Sequence, residues 1–182
     1  MPIDADLIQR CADPSLTPAI VESFVKSVGS DNPLSVTVRN GNRVILVSPA
    51  KSSMEALKTI RTYIGQAVVR VGVTQYPAGI GVDDPAEISP DLLDACSNVR
   101  QGTALFGKVW RIVLKWYGYP TDGSIMPQVL DDALEAWKTG RFDGVAVFTA
   151  EDPGAPHDGP KEDADLRQLG DDQAPVPYTI AT

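Results

Sequence analysis

The sequence predicts an α/β or α+β domain, in which a mixed sheet of about four strands has helices packed against it. Two short apolar runs flank Asn40-Gly41, which is a strong signal for a β-hairpin. A third apolar run, at residues 66–74, has the composition of an internal strand. Between these runs, apolar residues recur at helical spacing. With 182 residues and 43% hydrophobic content, the chain can bury a core, and we expect one globular domain over residues 1–150.

Helices are expected where a capping residue or a proline precedes apolar residues at helical spacing. They run from about residue 4 to 12, 18 to 28, 53 to 64, 90 to 101, 105 to 117 and 127 to 139. Gly102 and Gly107 weaken the periodic pattern, so a break or bend is expected near residue 101.

Strands are expected at four places, two of them joined by the hairpin. They are residues 34–39, 43–48, 66–74 and 142–148. With Asn40 and Gly41 as the loop, Val36 lies opposite Ile45. The second strand is apolar on both faces, so it should lie inside the sheet, with the first nearer the edge. The strand–helix–strand order that follows predicts a crossover and parallel pairing.

The net charge of −8 and the pI of about 4.6 argue against a simple nucleic-acid-binding protein, because phosphate contacts need Lys and Arg. The charge is uneven: residues 151–182 hold eight acids and two bases, so they carry −6 of the total. This segment is also rich in Pro and Gly and poor in large apolar residues. It is therefore predicted to be a mostly disordered acidic tail.

Cys11 and Cys96 both fall in predicted helices and are expected to be reduced thiols. A disulfide would instead suggest an oxidising compartment. The first residues have neither a basic region nor an apolar region of the kind that directs export, and no apolar run is long enough to span a bilayer. The expected location is the cytoplasm.

The loop at residues 76–81 is the first candidate site, because it follows the predicted internal strand. Gly79 and Gly81 would allow a close backbone approach, Pro77 would stiffen the loop, and Tyr76 could stack or donate a hydrogen bond. The loop contains no phosphate-binding glycine pattern. A tight structural connection explains the same residues more simply.

The second candidate is a basic helix face, formed by Lys108, Arg111 and Lys115 at helical spacing and extended by Arg100. Such a face could contact nucleic-acid phosphates or an acidic protein. The solvated side of an amphipathic helix explains this face more simply. The acidic tail is a candidate to fold over this face and compete with a partner.

No residue pattern indicates catalysis. His157 is the only histidine and lies in the tail, which removes the common histidine-based triads and zinc sites. Asp83, Asp84 and Glu87 precede a predicted helix, where acids stabilise the helix dipole. We therefore predict neither an enzyme nor a bound metal or cofactor.

Three segments carry a family resemblance: residues 8–25 (IQRCADPSLTPAIVESFV), 36–44 (VTVRNGNRV) and 68–79 (VVRVGVTQYPAG). Over about residues 3–150 the chain resembles the TraH conjugal transfer proteins of rhizobial and agrobacterial plasmids, whereas the tail carries none of the resemblance. It implies a non-catalytic accessory protein of conjugative plasmid DNA transfer that contacts the conjugation machinery proteins.

Two alternatives stay open beside that function. One is a DNA-contacting factor that uses residues 100–115, although nucleic acid is not the favoured partner. The other is a small ligand-binding or enzymatic domain that uses the loop at residues 76–81. The sequence predicts no oligomeric state.

Overall fold

The structure, a computed structural model, describes residues 3–154 and has an α+β fold. The helices are α1 (Ala5–Cys11), α2 (Pro18–Val28), α3 (Ser53–Tyr63), α4 (Ala95–Trp116) and α5 (Met126–Thr139). The strands are β1 (Val36–Asn40), β2 (Arg43–Ile45), β3 (Val68–Val71), β4 (Tyr76–Ala78), β5 (Arg141–Phe142) and β6 (Val145–Ala146). Two short 3-10 helices, Pro85–Glu87 and Pro90–Leu93, lead into α4.

The main sheet has four strands in the order β2-β1-β3-β4, which confirms the predicted number of strands. All pairs are antiparallel, so the predicted parallel pairing is wrong. β2 and β3 do run in the same direction, but β1 lies between them. The predicted fourth strand, residues 142–148, is also wrong. Residues 76–78 supply the fourth strand of the sheet, whereas β5 and β6, at residues 141–146, form a separate two-stranded sheet.

The hairpin between β1 and β2 forms with a register that differs from the predicted one. Asn40 pairs with Arg43 and Val38 with Ile45, so the loop is Gly41-Asn42 rather than Asn40-Gly41. Gly41 has a φ of 56° and takes the first loop position, as in a type II′ turn. The register differs by two residues, and an even shift leaves every side chain on its predicted face.

The position of β2 in the sheet also differs from the prediction. β2 is an edge strand, because β3 occupies the place on the other side of β1. As a result, Val44 is 55% exposed and Leu46, one residue beyond β2, is 93% exposed. An apolar strand was expected to be interior, so its exposure calls for a physical explanation.

The core has a helical part and a sheet part. In the helical part, Phe24 stacks on Phe106 with ring centroids 4.1 Å apart, and Trp137 meets both rings edge-on. In the sheet part, β1 and β3 pack against α3 through buried aliphatic side chains, including Val38 and Ile60. Thr74 and Asn98 are fully buried and join the two parts by hydrogen bonds.

Helix α4 is continuous from Ala95 to Trp116, so the predicted break near residue 101 is wrong. Gly102 lies where the helix crosses Thr74: a Cβ atom at this position would be 2.1 Å from the Thr74 Oγ1 atom. The glycine therefore permits a close approach between helix and loop and does not interrupt the helix.

Cys11 and Cys96 form a disulfide that joins α1 to α4, so the prediction of reduced thiols is wrong. Their positions in two separate predicted helices gave no sign that the helices pack together. Disulfides are rare in cytosolic proteins, and this one is at odds with the expected cytoplasmic location.

Several predicted helix ends are confirmed. The Thr17 side chain accepts the Ile20 amide, Ser52 accepts the Glu55 amide, and Gly140 ends α5 at a φ of 73°. Within residues 3–154, no helix combines the length and apolar character needed to cross a membrane. The predicted disorder of the tail falls, from residue 155 onward, outside the described residues.

Candidate functional site

One face of the four-stranded sheet packs against α3. On the opposite face, Arg39, Val44 and Val68 are exposed, whereas Pro77 is buried and Arg70 is half-buried against Trp137 and Phe148. The strand register places Val44, Arg39 and Val68 side by side in one row across this second face. The next row contains Thr37, Arg70 and Pro77. We call the exposed part of this surface the open sheet face; it consists of Arg39, Val44, Leu46 and Val68, with the half-buried Thr37 and Arg70 at its border.

The open sheet face combines apolar side chains with positive charge. Val44 is 55%, Val68 54% and Leu46 93% exposed, while most large apolar side chains of residues 3–154 are at least partly buried. Arg39 lies between Val44 and Val68 and is exposed. It forms no salt bridge with a carboxylate of the described residues. Exposed apolar side chains around a cation that has no carboxylate partner among residues 3–154 are typical of an interaction site.

Arg70 marks the boundary between the open sheet face and the helical part. It donates hydrogen bonds to the carbonyl oxygens of Trp137 (2.7 Å) and Lys138 (3.1 Å) at the end of α5. Its guanidinium also lies 5.0 Å from the Phe148 ring centroid. Burial, and secondly the charge of nearby Arg39, lower the pKa of Arg70 to about 10. Arg70 thus remains a cation, and the two arginines make this face electropositive.

A cleft of about 440 Å³ lies where the open sheet face meets residues 139–148. Val68, Arg70 and Phe148 line it, together with Pro77 and Gly79 from the loop predicted as a site. The cleft is continuous with the open sheet face through Val68 and Arg70. Its lining is mostly apolar and contains one cation, Arg70, and one carboxylate, Asp83, so it would suit a mostly apolar segment.

The remaining residues of that loop have other environments. Tyr76 begins β4 and packs against both parts of the core, and burial raises the pKa of its hydroxyl. Gly81 is exposed, with a φ of 67°, and does not line the cleft. The structure therefore brings Pro77 and Gly79, but neither Tyr76 nor Gly81, to the cleft.

The predicted basic helix face is largely occupied by the chain itself. Lys108 donates to the carbonyl oxygens of Phe148 (2.6 Å) and Ala150 (3.0 Å). Arg111 donates through Nε and Nη2 to the two carboxylate oxygens of Asp152, at 2.8 and 2.6 Å. Lys115 is exposed. Lys108 therefore holds residues 148–150, which precede the acidic tail, and only Arg111 holds a residue of the tail, Asp152.

We expect the contact between Asp152 and Arg111 to be lost in acid. The hydrogen bonds from Arg111 are the largest reason that the pKa of Asp152 lies below the ordinary aspartate value of 3.8. A carboxylate with a lowered pKa stabilises the fold above that ordinary value, and this stabilisation is lost as the pH falls through the lowered pKa. The Gly154 amide donates to Asp152 at 2.9 Å, so its NMR chemical shift should titrate below pH 3.8.

The matched variant for this titration is Asp152→Asn, which removes the titrating group and keeps its size. In that variant the Gly154 shift should stay flat over the same pH range. If the Gly154 amide shift of the unmodified protein titrates with a midpoint at or above pH 3.8, then Arg111 does not hold Asp152.

The sequence assigned the side chains of the open sheet face to the correct sides of their strands, but it did not show which side of the sheet is exposed. Val44 and Thr37 were expected on one side of the hairpin, and Val68 and Arg70 on one side of the third strand. Only the register across three strands brings them together. Within residues 3–154, no three His, Cys, Asp or Glu side chains converge in a way that could hold a metal ion.

Comparisons with known proteins give one relative and one family. Uncharacterized protein y4dP of Sinorhizobium fredii (strain NBRC 101917 / NGR234) is 57% identical over 152 residues, which cover 84% of this chain and 76% of that protein. No solved structure matches the chain. The TraH_2 family model matches residues 2–181, so the likeness includes the acidic tail and is not limited to residues 3–150. The chain belongs to the TraH_2 family, and its role is related to conjugal plasmid transfer.

Proposed function

We propose that this protein is a non-catalytic accessory protein of conjugal plasmid transfer that works by binding proteins of the transfer machinery. Membership of the TraH_2 family supports a role in conjugal plasmid transfer. The observation that supports a binding role is the open sheet face, where Val44, Leu46 and Val68 are exposed around Arg39, a cation with no carboxylate partner in the described part of the chain. Exposing these side chains to water is unfavourable, and a partner that covers them would remove that cost.

The distribution of charge supports an acidic partner. Residues 33–82, which contain the four-stranded sheet and α3, have six basic residues and one acid, a net charge of +5. They are Arg39, Arg43, Lys51, Lys58, Arg61 and Arg70, with Glu55 as the acid. The rest of the chain therefore carries −13, because the total is −8. This contrast orients an approaching acidic protein toward the sheet.

The edge position of β2 adds a second means of binding. Among residues 3–154, β2 pairs only with β1, so its other edge could accept an extended segment through backbone hydrogen bonds. Side chains of that segment would meet Val44 and Leu46, and its acids would meet Arg39. The partner segment that we propose is thus extended, partly apolar and acidic.

The open sheet face is a better contact surface than the basic helix face. Lys108 and Arg111 are engaged by residues 148–152, so a DNA phosphate would have to displace those contacts. Arg39, in contrast, has no carboxylate partner within residues 3–154. No observation favours DNA as the principal partner.

The test compares two double variants that change the charge by the same amount. Arg39→Glu with Leu46→Asp alters the open sheet face. Arg43→Glu with Met54→Asp alters exposed residues outside it, on the other side of β2 and on α3. The first variant should reduce partner recovery from donor cells and plasmid transfer frequency by about tenfold or more, as expected for central interface residues.

The control variant should leave both measurements close to those of the unmodified protein. Because all four positions are exposed, both variants should unfold at the same denaturant concentration as the unmodified protein. If the two variants recover the same amount of partner protein and give the same plasmid transfer frequency, the open sheet face is not the contact surface.

A further inference from the structure

We propose that the Cys11–Cys96 pair is a thiol–disulfide exchange site, in which Cys96 reacts with an external thiol or disulfide and Cys11 is the buried sulfur that completes the exchange. The external reactant is a protein or small molecule that carries a reactive dithiol or disulfide. The site lies apart from the open sheet face, and the inference does not depend on the proposed function.

The two sulfur atoms differ in their access to solvent. Cys11 is 8% exposed and belongs to an apolar cluster with Val73 and Val99, which are both fully buried. Cys96 is half-buried and packs against the same cluster from the second position of α4. An attacking thiolate must contact the disulfide sulfur directly, so access decides which sulfur is attacked. An external thiol therefore reaches Cys96 and not Cys11.

The surroundings of Cys96 stabilise a thiolate. Arg100, which is exposed and lies four residues further along α4, donates through Nη2 to the Cys96 sulfur at 3.8 Å. Cys96 also lies in the first turn of a 22-residue helix, where free backbone N–H groups and the helix dipole favour negative charge. An opposing charge comes from the N-cap residue Asp94, whose carboxylate accepts the Ser97 amide at 2.8 Å.

The surroundings of Cys11 disfavour a thiolate. Cys11 is the last residue of α1, at the negative end of that helix, and its sulfur packs among aliphatic side chains. Both features make a negative charge on this sulfur unfavourable. In the reduced pair the thiolate is therefore on Cys96, while Cys11 keeps its proton.

Reduction of the pair by an external dithiol takes two displacements. One thiolate of the dithiol attacks the Cys96 sulfur and bonds to it, the Cys11–Cys96 bond breaks, and its electron pair goes to Cys11, which takes up a proton. The second thiolate of the dithiol then attacks its own bound sulfur, closes a disulfide within the reductant and releases Cys96 as a thiolate. Two electrons pass to the pair, and oxidation by an external disulfide uses the same mixed disulfide at Cys96. The exchange thus decides whether α1 is covalently fixed to α4.

The first test locates the mixed disulfide on the unmodified chain. The folded protein is treated briefly with reduced glutathione, a monothiol that stays bound to the sulfur it attacks, and the remaining thiols are blocked with N-ethylmaleimide. Trypsin then separates the two cysteines into the peptides 11–26 and 71–100. Mass spectrometry should find at least about tenfold more glutathione on peptide 71–100 than on peptide 11–26.

The second test compares single variants that each keep one cysteine, with the aromatic disulfide dithiodipyridine as the probe. In native buffer, Cys11→Ser should react at least about tenfold faster than Cys96→Ser. In denaturing urea the two should react at similar rates, because both thiols are then solvated. Within Cys11→Ser, adding Arg100→Gln should slow the native reaction about threefold or more. Adding Lys115→Gln instead removes the same charge from the last turn of α4 and should leave the rate unchanged.

Several results would overturn the proposal. Glutathione on neither peptide would show that the disulfide is closed to exchange in the folded protein, and glutathione mainly on peptide 11–26 would reverse the two roles. Equal native rates for folded Cys11→Ser and Cys96→Ser would contradict the difference in reactivity. If the single variants do not fold, the position of glutathione on the unmodified chain still decides. Equal rates with Arg100→Gln and Lys115→Gln would remove the role assigned to Arg100.

Discussion

Reduction of the Cys11–Cys96 disulfide is expected to lower the free energy of unfolding by about 2–4 kcal/mol. The bond joins α1 to α4 across a sequence separation of 85 residues, and it excludes many conformations from the unfolded chain. Cys11 is also buried beside Val73 and Val99, so its loss would disturb the local packing. Urea unfolding with and without a reductant measures the effect as a shift in the transition midpoint.

The control for this prediction is the double variant Cys11→Ser/Cys96→Ser, which should be destabilised and should no longer respond to the reductant. Two free thiols in unmodified protein purified without reductant would contradict the disulfide. The same thiol titration, carried out on rapidly quenched donor cells, would show whether the bond is present in the cell. An oxidised pair in cells would support a role in an oxidising compartment, in contrast to the cytoplasmic location that the sequence suggested.

The second large effect is expected for Gly102→Ala, which should destabilise the protein by about 1–3 kcal/mol or more. The added Cβ would lie 2.1 Å from Thr74 Oγ1 and 2.5 Å from Thr74 Cβ. Thr74 cannot easily move, because its amide and hydroxyl donate to Asn98 Oδ1 and its carbonyl accepts from the Trp137 indole. The helix must therefore shift away from the loop. Thermal or urea unfolding measures the change.

Gly107→Ala in the same helix is the matched control. At this position the nearest atom to an added Cβ is Arg111 Nη1, at 3.2 Å, which belongs to the end of a flexible side chain. The gain in helix propensity, about 1 kcal/mol, should offset the small adjustment. Equal destabilisation by the two substitutions would show that helix geometry, and not contact with Thr74, determines the need for Gly102.

Local signals in the sequence predicted most of the secondary structure. Capping residues and prolines placed the helix starts correctly at Thr17 and Ser52, because these interactions lie within a few neighbouring residues. The hairpin was predicted for the same reason, with an error of one residue in its loop. Gly102 led to the wrong prediction of a helix break. A glycine is needed there because the helix contacts Thr74, which lies 28 positions earlier in the chain.

The candidate site was predicted only in part. Pro77 and Gly79 do line the cleft, but Tyr76 packs against the core and Gly81 lies outside the cleft. Lys108 and Arg111 do share a helix face, and the sequence suggested the acidic tail as its cover. The residues that engage it, 148–152, lie mostly before that tail. Arg39 and Arg70 were not singled out, because a single cation in a strand has no distinctive local pattern.

Local patterns predicted a fold of the α/β or α+β class, the helix starts at Thr17 and Ser52 and the faces of the residues in the first three strands, and three segments carried the family resemblance. Periodicity and capping depend on residues close in the chain. The folded chain alone shows that β3 lies beside β1, that β2 is an edge strand among residues 3–154 and that Cys11 meets Cys96. Strand order depends on how α3 and the helical part pack over the sheet, and such packing joins residues far apart in sequence. For the same reason, only the fold shows that Val44, Arg39 and Val68 form one exposed row.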